Sequence, residues 1–357
     1  MKKEFKIILL LLCAVLLFSV TMGCSNGNKT QKIGIFMPTR NETRWAQDSD
    51  SLMRQLQAKG YQVEIKNAEG DVEGQIRQID EMINGGCDIL VITAIDGSKL
   101  TDILQKAADK KIKVIAYDRL IMDTPNVDYY VTFDNFEIGR MEAAFIEEAL
   151  GLKNNAGPYN IELFAGALTD NNAKFFYDGA MSVLKPYIDS GKLIVRSGLT
   201  DITEIATLEW LGSNAKIRMD ALLKEYYQDT ELHAVLSPND GIAIGIIEAL
   251  REFGFGSDEN TFPILTGQDS DIENIRAILN GEQSMTIFKD TRTLADRTFR
   301  MIDDLLLDKL PETNDSKTYN NNIKIVPTYM CKPVLVTREN YKSVLIDSGY
   351  YELSDLQ

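Results

Sequence analysis

An acid and a base, Asp118 and Arg119, come at the end of the run Ile112–Tyr117, which is apolar apart from Lys113. A carboxylate accepts hydrogen bonds and a guanidinium donates them, so together they suit the hydroxyl groups of a polyol. The β-branched run predicts a strand of a covered parallel sheet, and in open α/β sheets ligands bind beyond the carboxyl ends of strands. A surface ion pair is the alternative interpretation.

Other predicted strands also end in polar, charged or aromatic residues. Carboxylates accept, amides donate and accept, and Arg and Lys donate, while flat aromatic rings pack on the C–H faces of a sugar ring. This mixture is what a neutral sugar requires. The strand ends carry Arg44 and Trp45, Asp170 to Asn172, Phe175 and Phe176, Trp210, Asn239 and Asp240, Gln268 and Asp269, and Lys289.

Each of these residues also has a purely structural interpretation. Asn239 and Asp240 could cap the helix predicted from Gly241, and Asn171 and Asn172 the helix that follows them, because Asx residues are favoured at helix N-termini. The aromatic residues could belong to the cores of their helices. The convergence of at least five strand ends on the same chemistry favours a ligand site.

Alternating strands and helices must position these residues, and this alternation predicts βαβ units and a parallel sheet. In the first half, the predicted strands are Lys32–Met37, Tyr61–Lys66, Asp88–Ile92, Ile112–Ala116 and Tyr129–Val131, with helices at Thr43–Lys59, Val72–Ile83, Ser98–Lys110 and Phe136–Leu150. In the second half, the strands are Tyr159–Phe164, Leu193–Arg196, Ala234–Leu236, Phe262–Leu265 and Ser284–Phe288, with helices at Asn172–Tyr187, Thr207–Tyr227, Gly241–Phe253, Ile272–Leu279 and Arg292–Leu307. Asn321–Val336 has a mixed β pattern. The fold class is therefore α/β, with two doubly wound halves.

The length and charge of the chain narrow the function classes. Its 357 residues suffice for two domains, and its formal net charge is −15. An acidic surface repels a phosphate backbone, which argues against nucleic-acid binding, and it also argues against strongly anionic substrates.

The N-terminus predicts export. Met1–Lys6 is basic, Ile7–Val20 is an almost unbroken apolar run of signal-peptide length, and Gly23 precedes Cys24. This pattern resembles a bacterial lipoprotein signal, although Thr21 replaces the usual Leu. We expect a signal peptide over residues 1–23, lipidation of Cys24 and a tether over residues 24–31. A plain signal peptide or an uncleaved anchor is the alternative.

The sequence shows no pattern for covalent catalysis. Cys87 and Cys331 lack CxxC spacing, and His233 is the single histidine, which excludes multi-His metal sites. The chain has no GxSxG, P-loop or GxGxxG motif. We predict no catalytic residue, no metal and no cofactor.

The chain resembles the periplasmic-type sugar-binding proteins of ABC transporters. The resemblance is carried by the export signal and by the segments Lys32–Phe36, Ile115–Arg119, Leu236–Gly241 and Gly267–Asp269. The likeness is greatest to the multiple-sugar, xylose- and galactose-binding branch. It implies a type I binding-protein fold, in which two Rossmann-like lobes joined by a three-segment hinge hold a sugar between them. It places the N-terminal lobe at residues 32–136 and about 289–325, and the C-terminal lobe at 137–288 and about 326–357. No calcium loop like that of galactose-binding relatives is found.

The same resemblance implies which residues bind the sugar. Residues 39–44 form a loop that varies among family members, and Arg44 is expected there in place of Arg40, while Asn171 and Asn172, and likewise Asn239 and Asp240, are not distinguished. The expected ligand residues are Arg44, Trp45, Asp118, Arg119, Asn171, Asn172, Phe176, Trp210, Asn239, Asp240, Asp269 and Lys289.

The implied function is capture of a neutral aldose such as glucose, galactose, xylose or arabinose by a lipid-anchored, extracytoplasmic monomer that delivers it to the permease subunits of an ABC transporter. One alternative is a sensory receptor that presents its closed form to a membrane kinase or chemoreceptor. A remote alternative is a glycoside-processing enzyme that uses Asp118 and Asp269 as a carboxylate pair.

Overall fold

A computed structural model of the protein describes residues 30–40, 43–257 and 260–356. The expected signal peptide and Cys24 lie outside the described residues. None of the described helices is both long and apolar enough to cross a membrane.

The βαβ pattern of the first half forms a parallel sheet, as predicted. Its strands are β1 (Lys32–Met37), β2 (Gln62–Asn67), β3 (Ile89–Ile92), β4 (Lys113–Tyr117) and β5 (Tyr129–Phe133), and the helices among them are α1 (Thr43–Ala58), α2 (Val72–Asn84) and α3 (Thr101–Asp109). Successive side chains of a strand point to opposite faces, so Ile33 and Ile35 pack in one core and Phe36 in another. Both faces of this sheet are therefore covered.

The second half builds another parallel sheet. Its strands are β6 (Tyr159–Leu163), β7 (Leu193–Val195), β8 (Ala234–Leu236) and β9 (Ile264–Leu265), in the order β7-β6-β8-β9. The helices of this half are α4 (Asn135–Ala149), α5 (Asn171–Asp189), α6 (Ile202–Ile205), α7 (Gly212–Tyr226), α8 (Asp240–Phe253) and α9 (Ile272–Asn280). β10 (Thr286–Phe288) continues this sheet through a bridge between Gln268 and Ile287.

The end of the chain returns to both sheets. α10 (Thr291–Leu306) packs against α1, and β11 (Thr328–Cys331) adds to the first sheet beside β5, in the order β11-β5-β4-β3-β1-β2. β12 (Val334–Val336) then pairs antiparallel with β10. We call the first sheet with α1–α3 and α10 the N-terminal lobe, and the second sheet with α4–α9, β10 and β12 the C-terminal lobe.

The chain passes between these lobes three times: between β5 and α4, between β10 and α10, and between β11 and β12. The predicted boundary near residue 325 falls too early, because Thr328–Cys331 pairs with Tyr130–Phe133 of the first sheet. The last crossing lies at Pro333, whose missing N–H cannot continue a ladder.

One predicted helix is wrong in its first turn. The helix expected over Thr207–Tyr227 begins only at Gly212, because Glu209 and Trp210 take positive φ angles of 54° and 59°. These left-handed residues cannot belong to a right-handed helix. The segment 207–211 is instead a connection that ends at the cleft between the lobes.

Candidate functional site

The carboxyl ends of strands from both lobes surround one cavity of about 310 Å³. That volume lies within the range usual for small-molecule sites. Of the residues expected from the sequence, those that line it are Arg44, Trp45, Asp118, Arg119, Asn172, Phe176, Trp210, Asn239, Asp269 and Lys289. The structure thus brings residues that are far apart in sequence to one place. Whether they bind a ligand remains a prediction.

Arg44, the second residue of α1, lies at the centre of the cavity's charges. Its guanidinium contacts Asp118, and its Nη1 lies 3.1 Å from the Oδ1 of Asp269. Its Nε lies 3.5 Å from the Oδ2 of Asp48, one helical turn farther along α1. Burial lowers the pKa of Arg44, but these three carboxylates more than reverse that effect and hold the pKa well above its usual value.

Two further cations are matched with carboxylates. The Nζ of Lys289 lies 2.8 Å from the Oδ1 of Asp269, and the Nε of Arg119 lies 3.1 Å from the Oδ2 of Asp170. Burial raises the pKa of Asp269, but Lys289 and Arg44 outweigh it and keep the pKa below its usual value. Each cation of the cavity therefore lies beside a carboxylate, and such a paired arrangement of charged donors and acceptors suits an uncharged polar ligand.

The Asp118 backbone is held in an unusual conformation. Its φ is +60°, a left-handed angle rare for residues other than glycine. Its carbonyl oxygen accepts hydrogen bonds from the Tyr130 hydroxyl at 2.5 Å, the Thr132 hydroxyl at 3.0 Å and the Asn172 amide at 2.9 Å. Because Asn172 belongs to the C-terminal lobe, this oxygen also joins the two lobes beside the cavity.

Three aromatic side chains form apolar parts of the wall. The guanidinium carbons of Arg44 and Arg119 lie 4.7 and 5.4 Å from the centre of the Trp45 ring. Phe176 and Trp210 meet edge to face with their ring centres 6.3 Å apart. Trp45 and Phe176 are also members of the hydrophobic core, so their structural interpretation is correct and their contact with a ligand stays a prediction.

The Trp210 ring lies directly on the backbone of Gly166. A Cβ at that glycine would come 2.0 Å from the ring atom Cη2. Only glycine therefore allows Trp210 to lie against the β6–α5 loop.

Some buried polar atoms of the cavity wall have no hydrogen-bond partner in the described part of the chain. Besides the Nε atoms of Arg44 and Arg119, which lie near carboxylates, they are three uncharged atoms: the indole nitrogens of Trp45 and Trp210 and the Oε1 of Gln268. Of the three uncharged atoms, two are donors and one is an acceptor, and leaving such groups unsatisfied costs about 1–3 kcal/mol each. Hydroxyl groups of a ligand would satisfy both kinds.

Two residues expected in the site do not line the cavity. Asn171 is the first residue of α5, next to the Asp170 cap, and Asp240 is completely buried behind the wall. Burial, helped by Asp271 and Asp269, raises the pKa of Asp240 well above its usual value. Asn239 does line the cavity and also caps α8 by accepting the Ile242 N–H at 2.9 Å.

Sequence reasoning left several cavity residues out of the expected set. They are Asp170, Glu209, Leu211, Gly212, Gly241, Gln268 and Asp271. Asp170 and Gln268 each follow a strand and lie next to an expected residue. Their position after a strand could have predicted that they line the cavity. Asp170 caps α5 by accepting the Asn172 N–H at 2.9 Å, so the cap lies one residue before the predicted candidates.

A buried carboxyl group supports the site from behind. Asp48 is fully buried, accepts a hydrogen bond from the Tyr117 hydroxyl and faces Arg44. Burial raises its pKa to about 7, against the lowering effects of Arg44 and Tyr117. No cluster of three or more potential metal ligands occurs among the described residues.

Comparisons with known proteins agree with this architecture. The family described as "Periplasmic binding protein domain" matches residues 33–310. The chain is 51% identical over 325 residues to the multiple sugar-binding periplasmic receptor ChvE of Rhizobium radiobacter, covering 91% of this chain and 92% of the receptor. It is 34% identical over 355 residues to the D-xylose-binding periplasmic protein of Escherichia coli strain K12, covering 99% of this chain and 100% of that protein.

A solved structure is also similar over nearly the whole chain. It is an ABC transporter solute-binding protein from Clostridium phytofermentans with bound β-D-glucose. Its sequence is 46% identical, its TM-score is 0.89, and the match covers 92% of this chain and 100% of the solved one.

Proposed function

This chain belongs to the periplasmic binding protein family, and we propose that it captures a neutral monosaccharide in the interlobe cavity and delivers it to an ABC permease. The predicted family and the two-lobed α/β fold are confirmed by the comparisons. The relatives are binding receptors and transport solute-binding proteins, so the prediction that the chain is not an enzyme is confirmed as well.

The observation that carries the proposal is the pairing of charges inside the cavity. Arg44, Arg119 and Lys289 each contact a carboxylate, so none of them requires an anionic ligand for charge balance. A sugar hydroxyl placed between a cation and a carboxylate can accept from one and donate to the other. Such charge-assisted hydrogen bonds are roughly twice as strong as neutral ones.

The aromatic residues add a second requirement of a pyranose. Trp45, Phe176 and Trp210 give the wall flat apolar surfaces beside the polar groups. C–H faces of a sugar ring pack on such surfaces, while its hydroxyls bond at the rim. The relatives support this ligand class, because they are a multiple sugar-binding receptor, a D-xylose-binding protein and a solute-binding protein with bound β-D-glucose.

The three chain crossings between the lobes support a hinge mechanism. Rotation at a few residues in the crossings would open the cavity and close it around the sugar. In the closed form, Arg44 from one lobe and Asp269 from the other would both contact the ligand. A membrane partner can recognise the closed form, because its surface differs from that of the open form.

We also propose that the chain is tethered to the outer side of the cytoplasmic membrane through a lipid on Cys24. The support is the basic, apolar and small-residue order of residues 1–24. A tether would keep the receptor near its permease and raise their effective concentration.

Calorimetric titration with a panel of D-glucose, D-galactose, D-xylose and L-arabinose tests the proposal. We expect saturable binding of at least one aldose. Asp269→Asn removes a charged partner of a hydroxyl and should weaken binding by about 10- to 150-fold, equivalent to about 1.5–3 kcal/mol. The matched control is Asp189→Asn, which changes an exposed carboxylate that pairs with Lys185 at the end of α5. Absence of heat with every sugar at millimolar concentration would overturn the proposal.

A further inference from the structure

Asp240 is fully buried at the start of α8, and its carboxyl group accepts hydrogen bonds from three residues. The Gln283 amide lies 2.9 Å from Oδ1, the Asp271 N–H lies 3.0 Å from Oδ2, and the Thr286 hydroxyl lies 3.0 Å from both oxygens. The Asp240 backbone N–H donates to the carbonyl of Gln268 at 2.9 Å. These contacts connect α8 to β10 and to the segment Gly267–Asp271.

Thr286 extends this connection because its hydroxyl has two roles. It donates its single hydrogen to Asp240, and its oxygen accepts the backbone N–H of Ser270 at 3.2 Å. The Thr286 hydroxyl therefore links the Ser270 N–H to the Asp240 carboxyl. A side chain without a hydroxyl at position 286 would leave the Ser270 N–H unsatisfied.

The segment held by these bonds is strained. Asp269 has a φ of +107° and Ser270 a φ of +59°, two successive left-handed angles in residues that are not glycine. Such conformations cost about 1–3 kcal/mol each and persist only when surrounding contacts enforce them. Gly267 completes the packing, because a Cβ there would lie 2.3 Å from the Oδ1 of Asp240.

The strained segment places a cavity carboxylate. Asp269 faces Arg44 at 3.1 Å and Lys289 at 2.8 Å, while its own backbone N–H donates to Ile287 at 2.9 Å. Relaxation of Asp269 or Ser270 toward ordinary φ angles would rotate this carboxylate away from the two cations. Asp240 itself is not part of the cavity wall.

We propose that Asp240 is a positioning residue that acts through Thr286 and the backbone of residues 270 and 271 to fix the Asp269 carboxylate for the sugar. This inference rests on the proposed sugar-binding function. It assigns Asp240 a role different from direct contact with the ligand, for which the sequence did not distinguish Asn239 from Asp240.

Substitutions at Thr286 test the proposal with little change in volume. Thr286→Val replaces the hydroxyl with a methyl group, whereas Thr286→Ser keeps the hydroxyl. Asp240→Asn is a companion variant, because its amide nitrogen would face a donor, either the Gln283 amide or the Asp271 N–H. We expect Thr286→Val and Asp240→Asn to weaken sugar binding at least tenfold and Thr286→Ser to stay within threefold of the wild type.

Two readouts separate positioning from general destabilisation and from failure of the proposed function. The first is amide hydrogen exchange of residues 266–271 without sugar, which Thr286→Val should accelerate at least tenfold and Thr286→Ser should leave near the wild-type rate. The second is a double-mutant cycle of sugar affinity with Asp269→Asn. In the Asp269→Asn background, Thr286→Val should weaken sugar binding less than threefold.

Unchanged exchange of residues 266–271 in Thr286→Val would overturn the proposal whether or not the wild type binds sugar. The proposal would also be overturned if Thr286→Val weakened sugar binding by the same factor in the wild type and in Asp269→Asn. Failure of the wild type to bind any sugar would instead contradict the proposed function, and the exchange rates would still report whether Asp240 and Thr286 hold the segment.

Discussion

The Nη1 of Arg44, on α1 of the N-terminal lobe, lies 3.1 Å from the Oδ1 of Asp269 in the C-terminal lobe. The two residues are 225 positions apart in sequence. Their contact closes a chain of charges in which Asp269 also contacts Lys289, and Arg44 also contacts Asp118 and Asp48. The two lobes therefore share one network of charged groups at the cavity.

Arg44→Lys should weaken sugar binding by about 10- to 100-fold even though it conserves the charge. The planar guanidinium reaches Asp118, Asp269 and Asp48 through different nitrogens, and a single ammonium cannot reproduce that geometry. Calorimetric titration measures the effect. Arg140→Lys, at an exposed pair with Glu137, is the control and should bind like the wild type. If Arg44→Lys bound sugar within twofold of the wild type, the planar geometry of the guanidinium would be unimportant for binding.

Gly166→Ala should weaken sugar binding about tenfold or more by displacing Trp210. The added methyl group would lie 2.0 Å from the indole ring, so the ring or the β6–α5 loop must move. The titration should be accompanied by a thermal unfolding curve. Gly60→Ala is the comparison, because Gly60 has a φ of +93° and open space around its Cβ position. That variant should lose stability and keep its affinity, and an equal loss of affinity in both would refute the local explanation.

Asp48 should make the free energy of unfolding depend on pH. Its pKa is about 7 in the folded protein against 3.8 ordinarily, so the folded state holds more protons than the unfolded state between these values. The contribution of Asp48 to the free energy of unfolding is therefore fully present below about pH 4 and is lost as the pH rises through about 7. The loss is on the order of 4 kcal/mol.

Asp48→Asn checks this pH dependence, because an amide keeps an acceptor for the Tyr117 hydroxyl and does not ionise. Denaturant unfolding between pH 4.5 and 7.5 should show a smaller decline in stability for Asp48→Asn than for the wild type. Parallel curves for the two proteins would contradict an elevated pKa of Asp48.

Much of the fold followed from the sequence, because alternating apolar strands and amphipathic helices leave few arrangements other than parallel sheets. Ligands of α/β sheets bind beyond the carboxyl ends of the strands, and this rule predicted that Asp118 and Arg119 lie near Asp269. No local sequence pattern connects these residues. Both the βαβ order and the position of the strand ends depend on patterns that extend over many residues.

The details that the sequence did not predict depend on single turns. Helical spacing continues back through 207–211, yet Glu209 and Trp210 are left-handed there and the Trp210 ring lies on Gly166. Neighbouring Asx residues at a helix start differ by about 100° in direction, so sequence order could not distinguish Asn239, which faces the cavity, from Asp240, which lies behind it.

Tryptophan fluorescence gives the most direct test of sugar binding in this cavity. The chain has two tryptophans, Trp45 and Trp210, and both line the cavity. We predict a saturable change in emission on titration with at least one of the four aldoses, with a reduced amplitude in both Trp45→Phe and Trp210→Phe. An emission spectrum that stays constant with every aldose, in a folded protein, would contradict sugar binding at this site.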